Sequence, residues 1–215
     1  MIGPMFFLSY AHASPLPSRE ANRHVIRFFD DLSENVSWLV SRATGEEPGF
    51  MDRSMHPGSR WTPELLNSLG NSQVFVALVA APYLTCRWCG MEWYGFAQRP
   101  VVRLRASVSV RQTAILPVIW APYANDQTPA VIAEVQRFSP DGLPAIDVTA
   151  RYKQYGVLGL MQLRRGPSYR GVVWELAKAI ADLHHSHWVE PRELRHEELR
   201  DVFAADPAGP WKVAE

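Results

Sequence analysis

The sequence has little cysteine, no excess charge of either sign and no long apolar run. Its 215 residues include two cysteines, too few for a framework of disulfide bonds. The 22 basic residues balance the 22 acidic ones, so no net charge favours nucleic acid or an anionic membrane as a partner. No apolar run reaches the roughly 18 residues that a membrane helix needs, and the first ten residues lack the features of a signal peptide. We therefore expect a cytoplasmic protein.

What the sequence does contain is typical of a globular protein with a core. Apolar residues make up 47% of the chain and charged residues 20%. The length suits one domain with an appendage, or at most two small domains. After Trp188 the chain becomes charged and contains prolines, which predicts a domain over residues 1–187 and a peripheral tail over residues 188–215.

Short apolar segments alternate with segments of helical periodicity. The predicted strands are Phe6–Tyr10, Gly49–Met51, Val74–Ala80 and Ala114–Trp120. The predicted helices span residues 19–43, 62–71, 87–98, 128–138 and 170–185, while 155–163 is ambiguous. The strand from Val74 is apolar on both faces, as in the centre of a parallel sheet. The alternation therefore predicts an α/β fold with a central parallel sheet and helices on both faces.

Three segments are predicted to meet at the carboxyl edge of this sheet, where ligands bind in such folds. They are Ser9-Tyr10, the loop over residues 52–60, and residues 81–93. The third contains one carboxylate, Glu92, among several aromatic residues. Partial burial among aromatic rings would raise the pKa of this carboxyl, which makes Glu92 a candidate catalytic residue.

The same segment contains a C-x-x-C motif, Cys86 to Cys89, which has three interpretations. A redox pair is expected after an early strand, whereas this motif follows the third predicted strand. A zinc site needs two further ligands, and the clustered histidines, His184, His185 and His187, lie far along the chain. We therefore interpret Cys89 as a buried apolar residue and Cys86 as the end of a loop, with no redox or metal chemistry.

Four stretches, in order, resemble landmarks of the TIR (Toll/interleukin-1 receptor-like) domain. Phe6–Tyr10 resembles its first strand, Pro57-Gly58 its second-strand loop, Trp88–Glu92 its W-C-x-x-E signature and Ile115–Val118 its next strand. More narrowly, FFLSYAH, GFMDRSMHPG, CGMEWYGFAQR and GLMQLRR are similar to the TIR-like FxsC proteins of actinobacteria. The resemblance implies a flavodoxin-like fold.

The resemblance also implies an activity, because many TIR domains cleave NAD⁺ at the nicotinamide–ribose bond in bacterial signalling or defence. Glu92 occupies the position of the catalytic glutamate in W-C-x-x-E. A carboxylate in that place can stabilise the oxocarbenium-like ribose that remains when nicotinamide departs. NAD⁺ is then the substrate, and neither a further cofactor nor a metal is implied.

The resemblance implies roles for five more residues in binding the substrate. Ser9 and Tyr10 would frame the nicotinamide ribose, Arg53 and Arg60 would contact the diphosphate, and Trp88 belongs to the signature itself. Core packing for Tyr10 and a solvated loop for both arginines are the alternatives.

One position departs from the catalytic members of the family. Ala81 stands where many of them have a serine just after the third strand, so that hydroxyl is missing. One alternative function is a non-catalytic TIR module that forms homo-oligomers or binds a partner. Another is an enzyme of nucleoside chemistry, as in the deoxyribosyltransferases.

Overall fold

A computed structural model describes residues 3–12, 22–41, 47–52, 61–105, 112–124, 128–142 and 147–204. The strands are β1 (Phe6–Tyr10), β2 (Gly49–Met51), β3 (Val74–Val79), β4 (Val101–Arg103), β5 (Ile115–Ile119) and β6 (His187–Val189). The α-helices are α1 (Arg23–Leu39), α2 (Pro63–Asn71), α3 (Ala81–Leu84), α4 (Arg87–Ala97), α5 (Ala130–Ala133), α6 (Asp147–Gln162) and α7 (Gly166–Ser186). None of the helices in these ranges is long and apolar enough to cross a membrane.

The main sheet is parallel and has the strand order β2-β1-β3-β5. All six residues of β3 are buried, and β3 lies between β1 and β5. The predicted α/β fold with a central parallel sheet is therefore confirmed, and the strand order is consistent with a flavodoxin-like fold. The four predicted strands match the observed ones to within a residue at either end.

Side chains alternate between the two faces of the sheet, and each face has its own core. Phe6, Leu8 and Tyr10 of β1 pack in the core that α1, α6 and α7 cover. Phe7 packs in the second core, with residues of α2, α3 and α4. Ser9 has the same parity as Phe7 and therefore points toward α4.

The residues Thr62 and Pro63 explain why α2 begins where it does, as the sequence predicts. Thr62 is the N-cap, and its Oγ1 accepts a hydrogen bond from the Leu65 backbone N–H at 3.1 Å. Pro63 occupies the first helical position, where its missing N–H has no cost. This cap fixes the start of α2 on the face of the sheet that it shares with α4.

The prediction of a helix over residues 128–138 is wrong for most of its length. The helix there is α5, which has only four residues and starts after Pro129. The Phe138 N–H donates to the carbonyl of Pro117 at 2.9 Å, which draws the chain back to β5 instead of extending the helix. The hydrogen bond to the strand thus replaces the continuation that the apolar spacing suggested.

The ambiguous segment 155–163 is helical and belongs to α6, which is interrupted at Gly156. Gly156 has a φ of 64°, a conformation that glycine adopts easily. A Cβ at this position would lie 2.6 Å from the carbonyl oxygen of Trp120, and the Leu158 N–H donates to that oxygen at 2.9 Å. The glycine therefore allows α6 to approach the end of β5.

The segment that the sequence predicts to be a peripheral tail is described as far as residue 204. It begins in β6, which pairs with β4 in an antiparallel ribbon that the sequence did not predict. Farther on, Leu194 and Leu199 are buried in the core that contains α2 and α4. The Arg192 N–H also donates to the carbonyl of Gly70, at 2.9 Å. Up to residue 204, this segment therefore covers α2 and α4.

Candidate functional site

Glu92 lies in the second turn of α4, against the carboxyl end of β1. Cys86 is the N-cap of this helix, and its Sγ accepts a hydrogen bond from the Cys89 N–H at 3.4 Å. Glu92 is only 5% exposed and sits among buried aromatic residues, as its sequence context suggested. Burial of a carboxyl requires a hydrogen-bonding partner, and β1 supplies one.

A chain of two hydrogen bonds joins Glu92 to β1 and α3. The Ser9 hydroxyl donates to Glu92 Oε2 at 2.5 Å, and Ser9 Oγ lies 3.0 Å from the Tyr83 hydroxyl. An ionised Glu92 can only accept, so the single proton of the Ser9 hydroxyl is then directed at Glu92 and Tyr83 is the donor to Ser9. Ser9 is 1% exposed and Tyr83 is fully buried.

The surroundings of Glu92 favour its neutral form. Burial raises the pKa of the Glu92 carboxyl to about 8, although the hydrogen bond from Ser9 lowers it. The negative charges of Cys86 and Asp52 raise it further. Glu92 is therefore mostly protonated at neutral pH, and a cation placed next to it would favour the charged form.

The two cysteines are free thiols in different environments. Cys89 is buried, and burial raises its pKa well above the ordinary value, which agrees with its interpretation as an apolar core residue. Hydrogen bonds from the Cys89 thiol and from the backbone lower the pKa of Cys86 to about 7, although burial opposes them. Within the ranges that the structure describes, no group of three His, Cys, Asp or Glu side chains could hold a metal ion.

Tyr10 is close to Ser9 in sequence but lies on the opposite face of β1. Its ring packs in the core formed with α1 and contacts the ring of His12, with 4.9 Å between centroids. Its hydroxyl donates to the carbonyl of Asp52 at 2.8 Å. Tyr10 therefore holds the start of the loop after β2 rather than contacting Glu92 directly.

Trp88 lies one turn before Glu92 on α4, but its ring packs elsewhere. The ring centroid is 5.6 Å from that of Trp61 and 6.4 Å from that of His196. Trp61 and His196 are themselves 6.1 Å apart, so the three rings form one cluster. The cluster attaches α4 to the start of α2 and to the C-terminal segment.

Two predicted site residues, Arg53 and Arg60, and the Pro57-Gly58 pair lie outside the described residues. Asp52, the last described residue before them, is near enough to Glu92 to raise its pKa. Ala81 starts α3 and is exposed. Because alanine has no hydroxyl, Ala81 cannot contact Glu92 as a serine would, and the hydroxyl that hydrogen-bonds to Glu92 belongs to Ser9 of β1.

No pattern in the sequence singles out Tyr83 or Phe203 as a partner in the site. Tyr83 lies nine residues before Glu92, and no spacing rule predicts that its hydroxyl reaches β1. The centroid of the Phe203 ring lies 5.5 Å from that of the Tyr83 ring and 5.9 Å from that of the Trp93 ring. The aromatic content of residues 83–96 indicated a buried setting, but not these partners.

The chain was also compared with known proteins. No protein-family model, curated protein or solved structure matches it. The function is therefore inferred from the residues and the geometry of the site.

Proposed function

We propose that this chain is a TIR-like enzyme that cleaves NAD⁺ at the nicotinamide–ribose bond, with Glu92 as its catalytic carboxylate. The supporting observation is the 2.5 Å hydrogen bond that holds Glu92 against Ser9 at the carboxyl end of β1. Ligands of parallel α/β folds bind at this edge of the sheet. A buried carboxyl with a raised pKa at such a place is typical of a catalytic site.

The charge of the substrate suits this carboxyl. Nicotinamide in NAD⁺ is a cationic ring, and a positive charge beside Glu92 lowers the pKa of the carboxyl from its value of about 8. Binding would therefore release the proton of Glu92 and place a carboxylate beside the ribose. Because Ser9 occupies Oε2, the oxygen assigned to the substrate is Oε1.

The reaction breaks one bond to the ribose carbon, forms another and consumes one water molecule. The bond between the nicotinamide nitrogen and the ribose carbon breaks, and its electron pair neutralises the pyridinium ring. The ribosyl group becomes cationic, and the Glu92 carboxylate stabilises it in a site with little water. Water then adds to that carbon and loses a proton, so that NAD⁺ and water give nicotinamide, ADP-ribose and H⁺. A nucleophile within the ADP-ribose part would instead give a cyclic product.

Release of free nicotinamide from NAD⁺ tests the proposal. The protein is incubated with NAD⁺ over a wide range of protein concentrations, since a second copy that completes the site would make the rate per molecule rise with concentration. We expect release at the upper end of this range. Turnover of nucleosides without any nicotinamide release from NAD⁺ would instead support the nucleoside-processing alternative.

One surface favours the second candidate, a TIR-like module that acts by self-assembly. Val102 of β4 and Trp188 of β6 lie opposite each other in the ribbon and are 43% and 41% exposed. Leu104 continues this apolar patch and is 54% exposed. Exposed apolar patches often mark protein contacts. Trp188→Ser should abolish self-association in sedimentation experiments, whereas Trp38→Ser on α1, at an 80% exposed residue, serves as the control.

A further inference from the structure

We infer that Tyr83 is a positioning residue for Glu92, acting through Ser9: the Tyr83 hydroxyl orients the Ser9 hydroxyl, which holds Glu92 Oε2 and favours the carboxylate. The inference extends the proposed function, since it assigns a role in preparing the reactive group to a residue that is not expected to touch the substrate. This role requires that Tyr83 donates to Ser9 and that Ser9 donates to Glu92.

The direction of the two hydrogen bonds follows from what each group can donate. Tyr83 is fully buried, and burial raises its pKa well above the ordinary value, so it keeps its proton and remains a donor. When Glu92 is ionised, Ser9 accepts a hydrogen bond from Tyr83 and directs its own proton at the carboxylate. A hydroxyl that accepts a hydrogen bond becomes a stronger donor, because neighbouring hydrogen bonds polarise one another.

The contacts around Tyr83 keep its hydroxyl in place. The residue belongs to α3, the short helix after β3, and its ring packs against Phe203 of the C-terminal segment at 5.5 Å. Within the described ranges, the Tyr83 hydroxyl forms a hydrogen bond with Ser9. Replacing Tyr83 by Phe keeps the ring contact and removes the hydroxyl, so the variant tests the hydrogen bond alone.

The hydrogen bonds from Tyr83 to Ser9 and from Ser9 to Glu92 affect the protonation of Glu92. A hydrogen bond donated to a carboxylate stabilises the charged form and lowers its pKa. The Ser9 hydroxyl does so directly, and Tyr83 does so by fixing and polarising that hydroxyl. Among the described residues, the other titratable groups that interact with Glu92 are Asp52 after β2, the Cys86 thiol just before α4 and the Cys89 thiol on α4.

The decisive experiment measures the pKa of the Glu92 carboxyl directly, without any substrate. Carbon-13 NMR of labelled glutamate carboxyls is recorded against pH, and the Glu92 signal is assigned as the one that Glu92→Gln removes. The wild type, Tyr83→Phe, Ser9→Ala and the double variant form a cycle. The cycle is repeated with Cys86→Ser, since the Cys86 pKa of about 7 lies close to that of Glu92.

We expect Ser9→Ala to raise the pKa of Glu92 by about one pH unit or more, and Tyr83→Phe by about half a unit. In the Ser9→Ala background, Tyr83→Phe should cause no further shift in the pKa of Glu92, because the Ser9 hydroxyl that links Tyr83 to Glu92 is already absent. An unchanged pKa in Tyr83→Phe, or the same shift with and without Ser9, would overturn the inference. A residue that only supports the fold would alter stability and leave the Glu92 pKa in place.

The titration also separates this inference from the proposed function. If the protein cleaves NAD⁺, the pH profile of kcat/KM should shift upward in Tyr83→Phe by the same amount as the NMR pKa. If it releases no nicotinamide, the NAD⁺ proposal fails, and the NMR cycle still decides whether Tyr83 acts on Glu92 through Ser9.

Discussion

Ser9 and Glu92 are 83 residues apart in sequence and share a buried hydrogen bond of 2.5 Å. Ser9 is the fourth residue of the five in β1, and Glu92 lies on the helix after β3 and α3. The bond therefore joins two elements that the parallel topology brings to the same end of the sheet. Burial at this place disfavours the carboxylate, the strongly hydrated form of the side chain, so the neutral carboxyl predominates at neutral pH.

Replacing Glu92 by Gln removes the charge and keeps the shape of the side chain. If Glu92 meets the developing cation, nicotinamide release should fall about 10²- to 10³-fold, since one well-placed electrostatic group contributes about that much. NAD⁺ binding should change far less, because the interaction strengthens in the transition state. Rates and binding are compared with those of Glu34→Gln, on the exposed side of α1. Turnover close to wild type in Glu92→Gln would assign the chemistry to another residue.

The rate of NAD⁺ cleavage should depend on the ionisation of Glu92. The free protein has a Glu92 pKa of about 8, so the reactive carboxylate increases as the pH rises through that value. The parameter kcat/KM should therefore rise about tenfold per pH unit below pH 8 and then level off. The profile of kcat should level off at lower pH, because the bound cation lowers the pKa of the carboxyl. A kcat/KM that is flat between pH 6 and pH 8 would contradict a role for ionised Glu92.

The sequence predicts the sheet well because its strands are short apolar runs between polar loops. Val74–Val79 is the clearest case, since a segment apolar on both faces has only one stable place, the centre of a covered sheet. Residues 128–138 show that apolar spacing alone can predict a helix where the chain does not form one. The apolar spacing there suits a helix, but a hydrogen bond from Phe138 to Pro117 keeps the chain beside β5. Such a tertiary contact leaves no local signal.

In the candidate site, too, the sequence predicts local features but not the tertiary contacts. The position of Glu92 in its motif and its aromatic neighbours predict a buried carboxyl, and the structure gives it an exposure of 5%. The partners could not be predicted, because the Tyr83 hydroxyl and the Ser9 hydroxyl meet only through the packing of α3 and α4 on β1. The resemblance pairs Tyr10 with Ser9 at the ribose, whereas the alternation of a strand places the two side chains on opposite faces.

Glu92 should make the stability of the protein depend on pH in a way that most carboxyls do not. Its pKa rises from 4.5 to about 8 on folding, so between these values the folded state binds a proton that the unfolded state does not. The stabilisation is complete below the lower value and is lost as pH rises through the upper one. The free energy of unfolding should therefore fall by about 1.4 kcal/mol per pH unit in this window.

Urea unfolding at intervals from pH 5 to pH 8 measures this dependence. Glutamine does not titrate, so the difference in stability between Glu92→Gln and the wild type should shift in favour of the variant as pH rises. The exposed control Glu34→Gln should instead follow the wild type at every pH. Parallel curves for Glu92→Gln and the wild type would show that the folded and unfolded proteins bind the Glu92 proton equally well.

Arg99 should be among the residues that stability depends on most, through the C-terminal segment. Its guanidinium is buried and donates to the carbonyls of Leu69 and Ser72 at 2.9 Å and 2.7 Å. It also donates to the carbonyls of Glu190 and Val189, at 2.9 Å and 3.3 Å. One side chain thus joins the end of α2 to β6 and the residue after it. Burial lowers the pKa of Arg99 to about 10, so the group remains charged at neutral pH.

Arg99→Lys tests this connection, because lysine keeps the charge but cannot present the planar set of donors. At least two of the four hydrogen bonds would be lost, and a hydrogen bond from a charged group contributes about 1.5–3 kcal/mol. We therefore expect the free energy of unfolding to fall by at least about 2 kcal/mol, measured in urea at pH 7. The control is Arg200→Lys at an exposed position, which should change stability by less than about 0.5 kcal/mol. If the two variants lose equal stability, the carbonyls around Arg99 are satisfied in another way, and the attachment of the C-terminal segment depends on Leu194 and Leu199 instead.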